Sequence, residues 1–157
     1  MNRVPITPAG YKKLQAELQR LKTQERPKVV ADISAAAAQG DLSENSEYDD
    51  AKERLAVLNR RITELESKIA MAQVIDPTQV ATESVAFGAT VHLKDLDTDE
   101  DIVYQIVGVD EVDVRNGRIS IKTPVARALL GKDEGDTAKV RVPRGIRELE
   151  IVRIEYK

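Results

Sequence analysis

Residues 40–48 read Gly-Asp-Leu-Ser-Glu-Asn-Ser-Glu-Tyr and separate two long helical patterns. The first pattern runs from about Thr7 to Gln39 and the second from about Glu44 to Ile75. Because the turn between them is short, the two helices are predicted to fold back on each other as an antiparallel hairpin. At about 1.5 Å of rise per residue, about 30 helical residues hold the turn roughly 45 Å from the base of the hairpin. The sequence therefore predicts a stalk with residues 40–48 at its tip.

The first helical pattern begins with Thr7 and Pro8, a pair typical of an N-cap followed by the first helical position. Apolar side chains then recur at 3-4-3 spacing and predict a packing seam: Tyr11, Leu14, Leu18 and Leu21. Proline lacks a backbone donor, so we expect a local bend or break at Pro27. Beyond it the seam resumes with these residues: Val29 or Val30, Ile33, and Ala36 or Ala37.

The second helical pattern repeats apolar positions at 4-3-4-3-4-3, which is the heptad pattern of a coiled coil. Its core positions are Ala51, Leu55, Leu58, Ile62, Leu65, Ile69 and Ala72. Together the two patterns predict an antiparallel coiled coil within one chain. A parallel dimer through the same seam would leave the first helix without a partner, so we expect a monomer.

Strand patterns follow the hairpin, after a polar linker at residues 77–84. We expect strands within Val85–Leu93, Ile102–Val109, Ile119–Ile121, Thr137–Val142 and Glu148–Glu155, a hairpin turn at Asn116-Gly117, and a short helix at Pro124–Leu130 with Gly131 as its C-cap. The predicted fold class is α+β: an antiparallel coiled-coil hairpin over 1–76 and a small, mostly antiparallel β-sheet domain with one short helix over 85–157.

The composition excludes several classes of protein. The 157 residues include no cysteine and one histidine, which removes disulfides, thiolate metal sites and histidine-pair zinc sites. No apolar run is long enough for a membrane span, and we expect a cytoplasmic protein. The formal net charge of −3 argues against an autonomous nucleic-acid binder, which would normally carry a basic excess.

The tip is strongly acidic. No Lys or Arg lies between Lys28 and Lys52, whereas six carboxylates do: Asp32, Asp41, Glu44, Glu47, Asp49 and Asp50. One interpretation is structural, because Gly40 can end the first helix while Asp41 or Ser43 caps the second. It does not explain why these carboxylates stand together at the end of a stalk.

The other interpretation is that Asp41 and Glu44 help to hold Mg²⁺. This ion takes oxygen ligands and is usually bound through one or two carboxylates, with water and phosphate completing its shell. Two carboxylates on an exposed tip would bind it weakly alone but could complete a metal site on a partner. The residues therefore favour a catalytic accessory factor over an enzyme.

The tip motif at residues 40–48, followed by Ala51-Lys52-Glu53, closely resembles the bacterial Gre transcript-cleavage factors, with the GreA type fitting best. Similar motifs lie in family order along nearly the whole chain: residues 14–18, 25–27, 72–76, 87–91, 104–108 and 120–132.

The resemblance implies an FKBP-like C-terminal domain that docks on the rim of the RNA polymerase secondary channel, with this matching contact segment: Lys122, Thr123 and Pro124. It implies that the coiled coil enters the channel, where Asp41 and Glu44 stabilise the second Mg²⁺ and the attacking water, and that the polymerase then hydrolyses the 3′ end of backtracked RNA. The remaining motif residues would support the tip: Gly40, Leu42, Ser43, Asn45, Glu47 and Tyr48. Lys52 and Arg54 would contact the nascent RNA or lie on a solvated helix surface.

The tip departs from the family pattern at four positions: Ala37 and Gln39 stand where Arg and His are common, and Asp49-Asp50 where His-Ala is common. Added negative charge is a feature of the anti-cleavage relatives, so a channel-blocking inhibitor is the alternative to a cleavage stimulator. A stand-alone Mg²⁺-dependent nuclease and a coiled-coil structural adaptor are hypotheses from other classes.

Overall fold

The computed structural model describes residues 3–39 and 45–157, and their contacts divide into two compact units. One unit is Tyr11–Met71, and the other combines Met1–Gly10 with Ala72–Lys157. The sequence suggested boundaries in chain order, at 1–76, 77–84 and 85–157, whereas these contacts group the first ten residues with the C-terminal unit. The predicted fold class is confirmed, because a helical hairpin precedes a small, mostly antiparallel sheet with one short helix.

The first arm of the hairpin consists of α1 (Pro8–Arg20), a π-turn (Leu21–Glu25) and α2 (Arg26–Ala37). Its predicted start is confirmed, because the Gly10 backbone N–H donates to Thr7 Oγ1 over 3.1 Å. The structure also decides between the alternative seam residues. Val29 and Ala36 are buried, whereas Val30 is 45% exposed.

The π-turn lies directly before Pro27, where the sequence predicted an irregularity. The Arg26 backbone N–H donates to Leu21 O, five residues earlier, and Pro27 has no N–H to donate. Along this arm the buried and half-buried seam positions follow the spacing 3-4-3-4-4-4-3. One spacing of four stands where a heptad repeat has three, so the arm contains one extra residue. A π-turn absorbs an extra residue because its hydrogen bonds span five residues instead of four.

The second arm is α3 (Ser46–Met71). Its predicted seam residues from Ala51 to Ile69 are buried or half-buried, and Ala51, Ile62 and Leu65 are almost completely enclosed, whereas the last predicted seam residue, Ala72, lies beyond the end of the helix. The heptad prediction is therefore confirmed. The predicted end at Ile75 is wrong, because α3 stops at Met71.

A short parallel β-ladder replaces the last predicted helical turn. Strand β2 (Ala72–Val74) pairs with β1 (Val4–Ile6), and Ile75 N donates to Ile6 O over 2.8 Å. β-Branched residues favour extended backbone, and here a distant strand satisfies their hydrogen-bonding groups. Pairing across the chain therefore overrides the local helical pattern.

A second contact holds the first residues to the C-terminal unit. The Glu111 carboxylate accepts from Thr7 N at 3.0 Å, from Gly108 N at 2.9 Å and from the Thr7 hydroxyl.

At two glycines near this contact, the packing leaves no room for a side chain. A Cβ on Gly108 would lie 2.4 Å from Pro5 O, and one on Gly10 would lie 2.3 Å from Glu111 Oε1.

The C-terminal unit is built on a five-stranded sheet with the order β5-β4-β3-β7-β6. Its elements are β3 (Thr90–Asp95), β4 (Asp101–Val107), β5 (Arg118–Ser120), α4 (Pro124–Leu129), β6 (Thr137–Val142) and β7 (Gly145–Glu155). Alternate residues of the central strands are fully buried, as Leu149 and Ile151 are in β7, and Leu129 of α4 belongs to the same core. The strand and helix predictions for this unit are confirmed within a few residues.

The predicted hairpin at Asn116-Gly117 is wrong in its strand pairing. Gly117 adopts a left-handed conformation, as a tight turn requires, and Asp113 forms a single antiparallel bridge with Arg118 across it. Strand β5, however, runs parallel to β4, with Ile119 opposite Ile106. The turn at Asn116-Gly117 is therefore confirmed, but β5 pairs in parallel with β4 and not antiparallel with the residues directly before the turn.

Candidate functional site at the hairpin tip

Five of the predicted tip residues lie outside the described residues: Gly40, Asp41, Leu42, Ser43 and Glu44. The structure describes the chain on both sides of them, up to Gln39 and from Asn45 onward. The geometry available at the tip is therefore that of the two helix ends that border residues 40–44.

Asn45 bonds to both helix ends. Its Oδ1 accepts from the Tyr48 backbone N–H over 3.1 Å, and its Nδ2 donates to Ala36 O over 2.7 Å. The first bond satisfies a free N–H in the first turn of α3, and the second reaches a carbonyl in the last turn of α2. One side chain thus ties together the residues on either side of the tip turn, an arrangement that we call the Asn45 clasp.

The clasp corrects the predicted capping of the second helix. The sequence suggested Asp41 or Ser43 as the N-cap, but α3 begins at Ser46 and Asn45 stands directly before it. Asparagine is among the preferred N-cap residues because its short side chain reaches the N–H groups of the first turn. Asn45 therefore supplies the side-chain cap of α3.

The first turn of α3 carries exposed negative charge. Glu47 and Asp49 lie within it, and Glu47 Oε2 accepts a long hydrogen bond of 3.4 Å from Gln39 Nε2. Carboxylates are favourable at this end of a helix because its unpaired N–H groups give it a partial positive charge. Part of the acidity beside the tip is thus explained by local helix stability.

The two predicted RNA-contacting residues, Lys52 and Arg54, have partners within the hairpin. Lys52 Nζ lies 5.2 Å from the centre of the Tyr48 ring, one helical turn earlier. Arg54 Nη1 lies 3.3 Å from Asp32 Oδ2 on the other arm, with about half of each side chain exposed. Exposed contacts of this kind contribute about 1 kcal/mol or less, so either cation can leave its partner for an external anion.

The predicted docking segment forms the start of α4. Thr123 caps this helix, because its Oγ1 accepts from Ala126 N over 3.2 Å and donates to Ser120 O over 2.8 Å. Lys122 and Pro124 on either side of it are exposed. Thr123 therefore fixes the turn, while its two neighbours present their side chains to solvent.

The acidic loop Asp95–Asp101 is organised by its first residue. Asp95 is buried, and its Oδ1 accepts from the backbone N–H of Asp97 at 2.9 Å and of Thr98 at 3.3 Å. These hydrogen bonds, together with Arg147 at 3.3 Å, hold the pKa of Asp95 below its ordinary value despite its desolvation. The carboxylate points into its own turn, which accounts for this residue without a bound cation.

Across the described ranges 3–39 and 45–157, no group of three or more Asp, Glu or His side chains is placed to hold a metal ion. In the same ranges, no helix is long and apolar enough to cross a membrane. The predicted Mg²⁺ ligands, Asp41 and Glu44, belong to neither range. The part that sequence reasoning missed is the bond from Asn45 to Ala36, because it depends on which carbonyl the fold brings near.

A helical hairpin with an acidic tip, joined to a small α+β unit, defines the class of proteins to which the chain can be compared. Residues 4–74 match the family model of the N-terminal domain of transcription elongation factors, and residues 80–156 match the C-terminal domain model of GreA/GreB transcription elongation factors. The chain belongs to the GreA/GreB family of transcription elongation factors.

Two relatives that match in sequence agree with this assignment. The chain is 54% identical over 157 residues to transcription elongation factor GreA of Ralstonia nicotianae, covering 99% of both chains. It is 52% identical over 158 residues to GreA of Verminephrobacter eiseniae, covering all of both. Among solved structures, it is similar to GreA factor homolog 1 (Gfh1) of Thermus thermophilus, with 28% identity, a TM-score of 0.45 and coverage of 98% and 99%. The prediction of a Gre-type elongation factor is confirmed at the level of the family.

Proposed function

We propose that this protein binds RNA polymerase, inserts its hairpin into the secondary channel and stimulates cleavage of the 3′ end of backtracked RNA by the polymerase. The observation that carries the proposal is the Asn45 clasp at the end of the stalk. It joins the helix ends on either side of residues 40–44. The 26 residues of α3 correspond to about 39 Å of helix, enough to reach a deeply placed reaction centre.

In this proposal Asp41 and Glu44 supply carboxylate oxygens to a Mg²⁺ ion that the polymerase holds jointly. A second metal ion in phosphoryl chemistry activates the attacking water and stabilises charge on the leaving oxygen. The protein is then a catalytic accessory factor, and the bond-breaking machinery belongs to the polymerase. The two carboxylates would bind the ion weakly, or not at all, away from the polymerase.

The remaining site residues take supporting roles in the same proposal. Lys52 and Arg54 exchange their weak internal contacts for the phosphates of the RNA 3′ end, and the weakness of those contacts supports this role. The exposed Lys122 and Pro124, on the turn fixed by Thr123, contact the rim of the channel. The protein acts as a monomer, because each arm of the hairpin already provides the partner for the other. Its place of action is the cytoplasm, where a bacterial RNA polymerase works.

The test uses a stalled, backtracked elongation complex with 3′-labelled RNA and Mg²⁺. We expect the protein to release short 3′ fragments, and Asp41→Asn with Glu44→Gln to reduce release to the rate of polymerase alone while binding persists. These substitutions preserve shape and remove the charge that Mg²⁺ requires. Loss of binding instead would make the two residues docking contacts.

Three controls separate the other hypotheses. Slower elongation without fragments would identify a channel-blocking inhibitor. Cleavage of free RNA by the protein without polymerase would identify a nuclease. Self-association in sedimentation, without polymerase binding, would favour a structural adaptor.

A further inference from the structure

A groove runs along one flank of the hairpin beside the π-turn. Leu21 and Glu25, the first and last residues of that turn, line one wall, and residues from Asp50 to Arg61 of α3 line the other. Its volume is about 650 Å³. The groove therefore lies where the extra residue of the first arm interrupts the heptad match with α3.

Apolar side chains form much of its lining: Leu21, Val29, Val57 and Leu58. Leu21 and Val29 are buried in the seam, but Val57 is 51% exposed. An isolated exposed valine is ordinary on a protein surface. Here it borders a concave surface with further apolar atoms beneath it, which gives an incoming aliphatic group something to pack against.

Around the groove, the arginine side chains form ion pairs, whereas two of the carboxylates do not. Arg61 forms two hydrogen bonds with Glu17, at 3.0 and 3.1 Å, and Arg54 pairs with Asp32. Asp50 and Glu53 have no ion pair with any residue in the described part of the chain. These two carboxylates therefore offer negative charge to a ligand, and they lie next to the apolar lining of the groove.

We propose that this groove receives a protein segment of RNA polymerase that presents an aliphatic side chain flanked by Lys or Arg. A cationic side chain with an apolar stem suits such a surface, because the stem covers the valine while the charge meets the carboxylates. RNA phosphates suit Arg54, which also lines the groove, but they do not suit the apolar lining, where they would meet Asp50 and Glu53. This inference rests on the proposed function, since it requires that the polymerase surround the hairpin.

The first test places a cation at the border of the groove. Val57→Lys adds a like charge where the basic segment binds and removes a packing contact, while lysine keeps good helix propensity. Ala56→Lys is the matched control, since Ala56 is the exposed neighbour outside the groove. We expect Val57→Lys to weaken binding to core polymerase, measured by competition with labelled wild type, by about tenfold, and Ala56→Lys to change it by less than about twofold.

The second test removes the negative charge. Asp50→Asn with Glu53→Gln should weaken binding by about fivefold at low ionic strength and make affinity less dependent on salt. Equal affinities for Val57→Lys and Ala56→Lys would overturn the proposal, and so would an unchanged salt dependence in the neutral variant. A loss seen only when RNA is present would also overturn it, in favour of RNA as the ligand. Wild-type protein that fails to bind polymerase would instead refute the proposed function.

Discussion

Removing the side chain of Asn45 should loosen the tip end of the hairpin by a predictable amount. Asn45→Ala deletes an N-cap bond, worth about 1 kcal/mol, and the bond to Ala36 O, worth about 1 kcal/mol. The full penalty for a buried unpaired carbonyl does not apply, because Ala36 O also accepts from Gln39 N at 3.2 Å. We therefore expect a loss of about 2 kcal/mol, or about 10 °C in the melting temperature of the helical signal.

A second substitution separates the two bonds. Asn45→Asp keeps an oxygen for the Tyr48 N–H but replaces the donor to Ala36 O with a second acceptor. It should therefore lose about half as much stability as Asn45→Ala. The assay is thermal unfolding of the full chain followed by circular dichroism at a helical wavelength, since most helical residues lie in the unit Tyr11–Met71.

The matched control is Asn59→Ala, an exposed position within the same helix. This change should be neutral or slightly stabilising, because alanine is the better helix former and no hydrogen bond is lost. If Asn45→Ala and Asn59→Ala melted at the same temperature, the clasp would contribute nothing and the argument from its two hydrogen bonds would be wrong.

Two further predictions concern the C-terminal unit. Asp95→Asn keeps an oxygen for the turn but loses its charge beside Arg147, so the variant should be less stable than wild type at neutral pH. Folding lowers the pKa of Asp95 below its ordinary value of 3.8. The stability advantage of the wild type should therefore persist above that pH and shrink as the pH falls through the lower pKa of the folded state. Urea titrations at neutral and acidic pH would test this, and a constant difference would contradict it. Gly108→Ala should destabilise the unit by about 1–3 kcal/mol in urea, because its Cβ would meet the Pro5 backbone. Gly10→Ala should destabilise the unit as well, because its Cβ would displace the Glu111 carboxylate that accepts from Thr7 and Gly108, and unchanged stability of both variants would refute this interpretation.

The hairpin could be predicted because its seam is a local, periodic signal. All core positions of α3 follow from the heptad spacing, and the irregularity before Pro27 follows from its missing donor. The choice between Val29 and Val30 could not be made in advance. It depends on the π-turn absorbing the extra residue, and that is a property of backbone hydrogen bonds, which apolar spacing does not reveal.

The missed elements depend on partners that are distant in sequence. Strand β2 pairs with β1 across 68 residues, with Val4 opposite Ala72. Neither three-residue segment contains a pattern that predicts its pairing partner. Gly117 predicted a turn correctly, but the parallel pairing of β5 with β4 depends on the arrangement of the whole sheet. Local patterns therefore predicted most elements, whereas two of the strand pairings required the fold.

In the candidate site, too, local sequence patterns identify some residues, whereas the contacts of others depend on the fold. Their acidity and the motif around them identify Asp41 and Glu44 as candidate Mg²⁺ ligands, and this role stays a prediction. The motif identifies Asn45 only as a residue that supports the tip, because the acceptor of its second bond, Ala36 O, belongs to the other arm. A motif can identify such a residue, but only the packing of the two arms identifies what it holds.

The π-turn and the clasp depend on each other. One extra residue in an unbroken α-helix would rotate everything after it by about 100°. Ala36 would then leave the seam against α3, and its carbonyl would move away from Asn45. By absorbing that residue about four turns before the tip, the π-turn keeps Val29 and Ala36 buried and the clasp closed. The irregularity that opens the groove on the flank is thus the one that keeps the two helix ends at the tip in register.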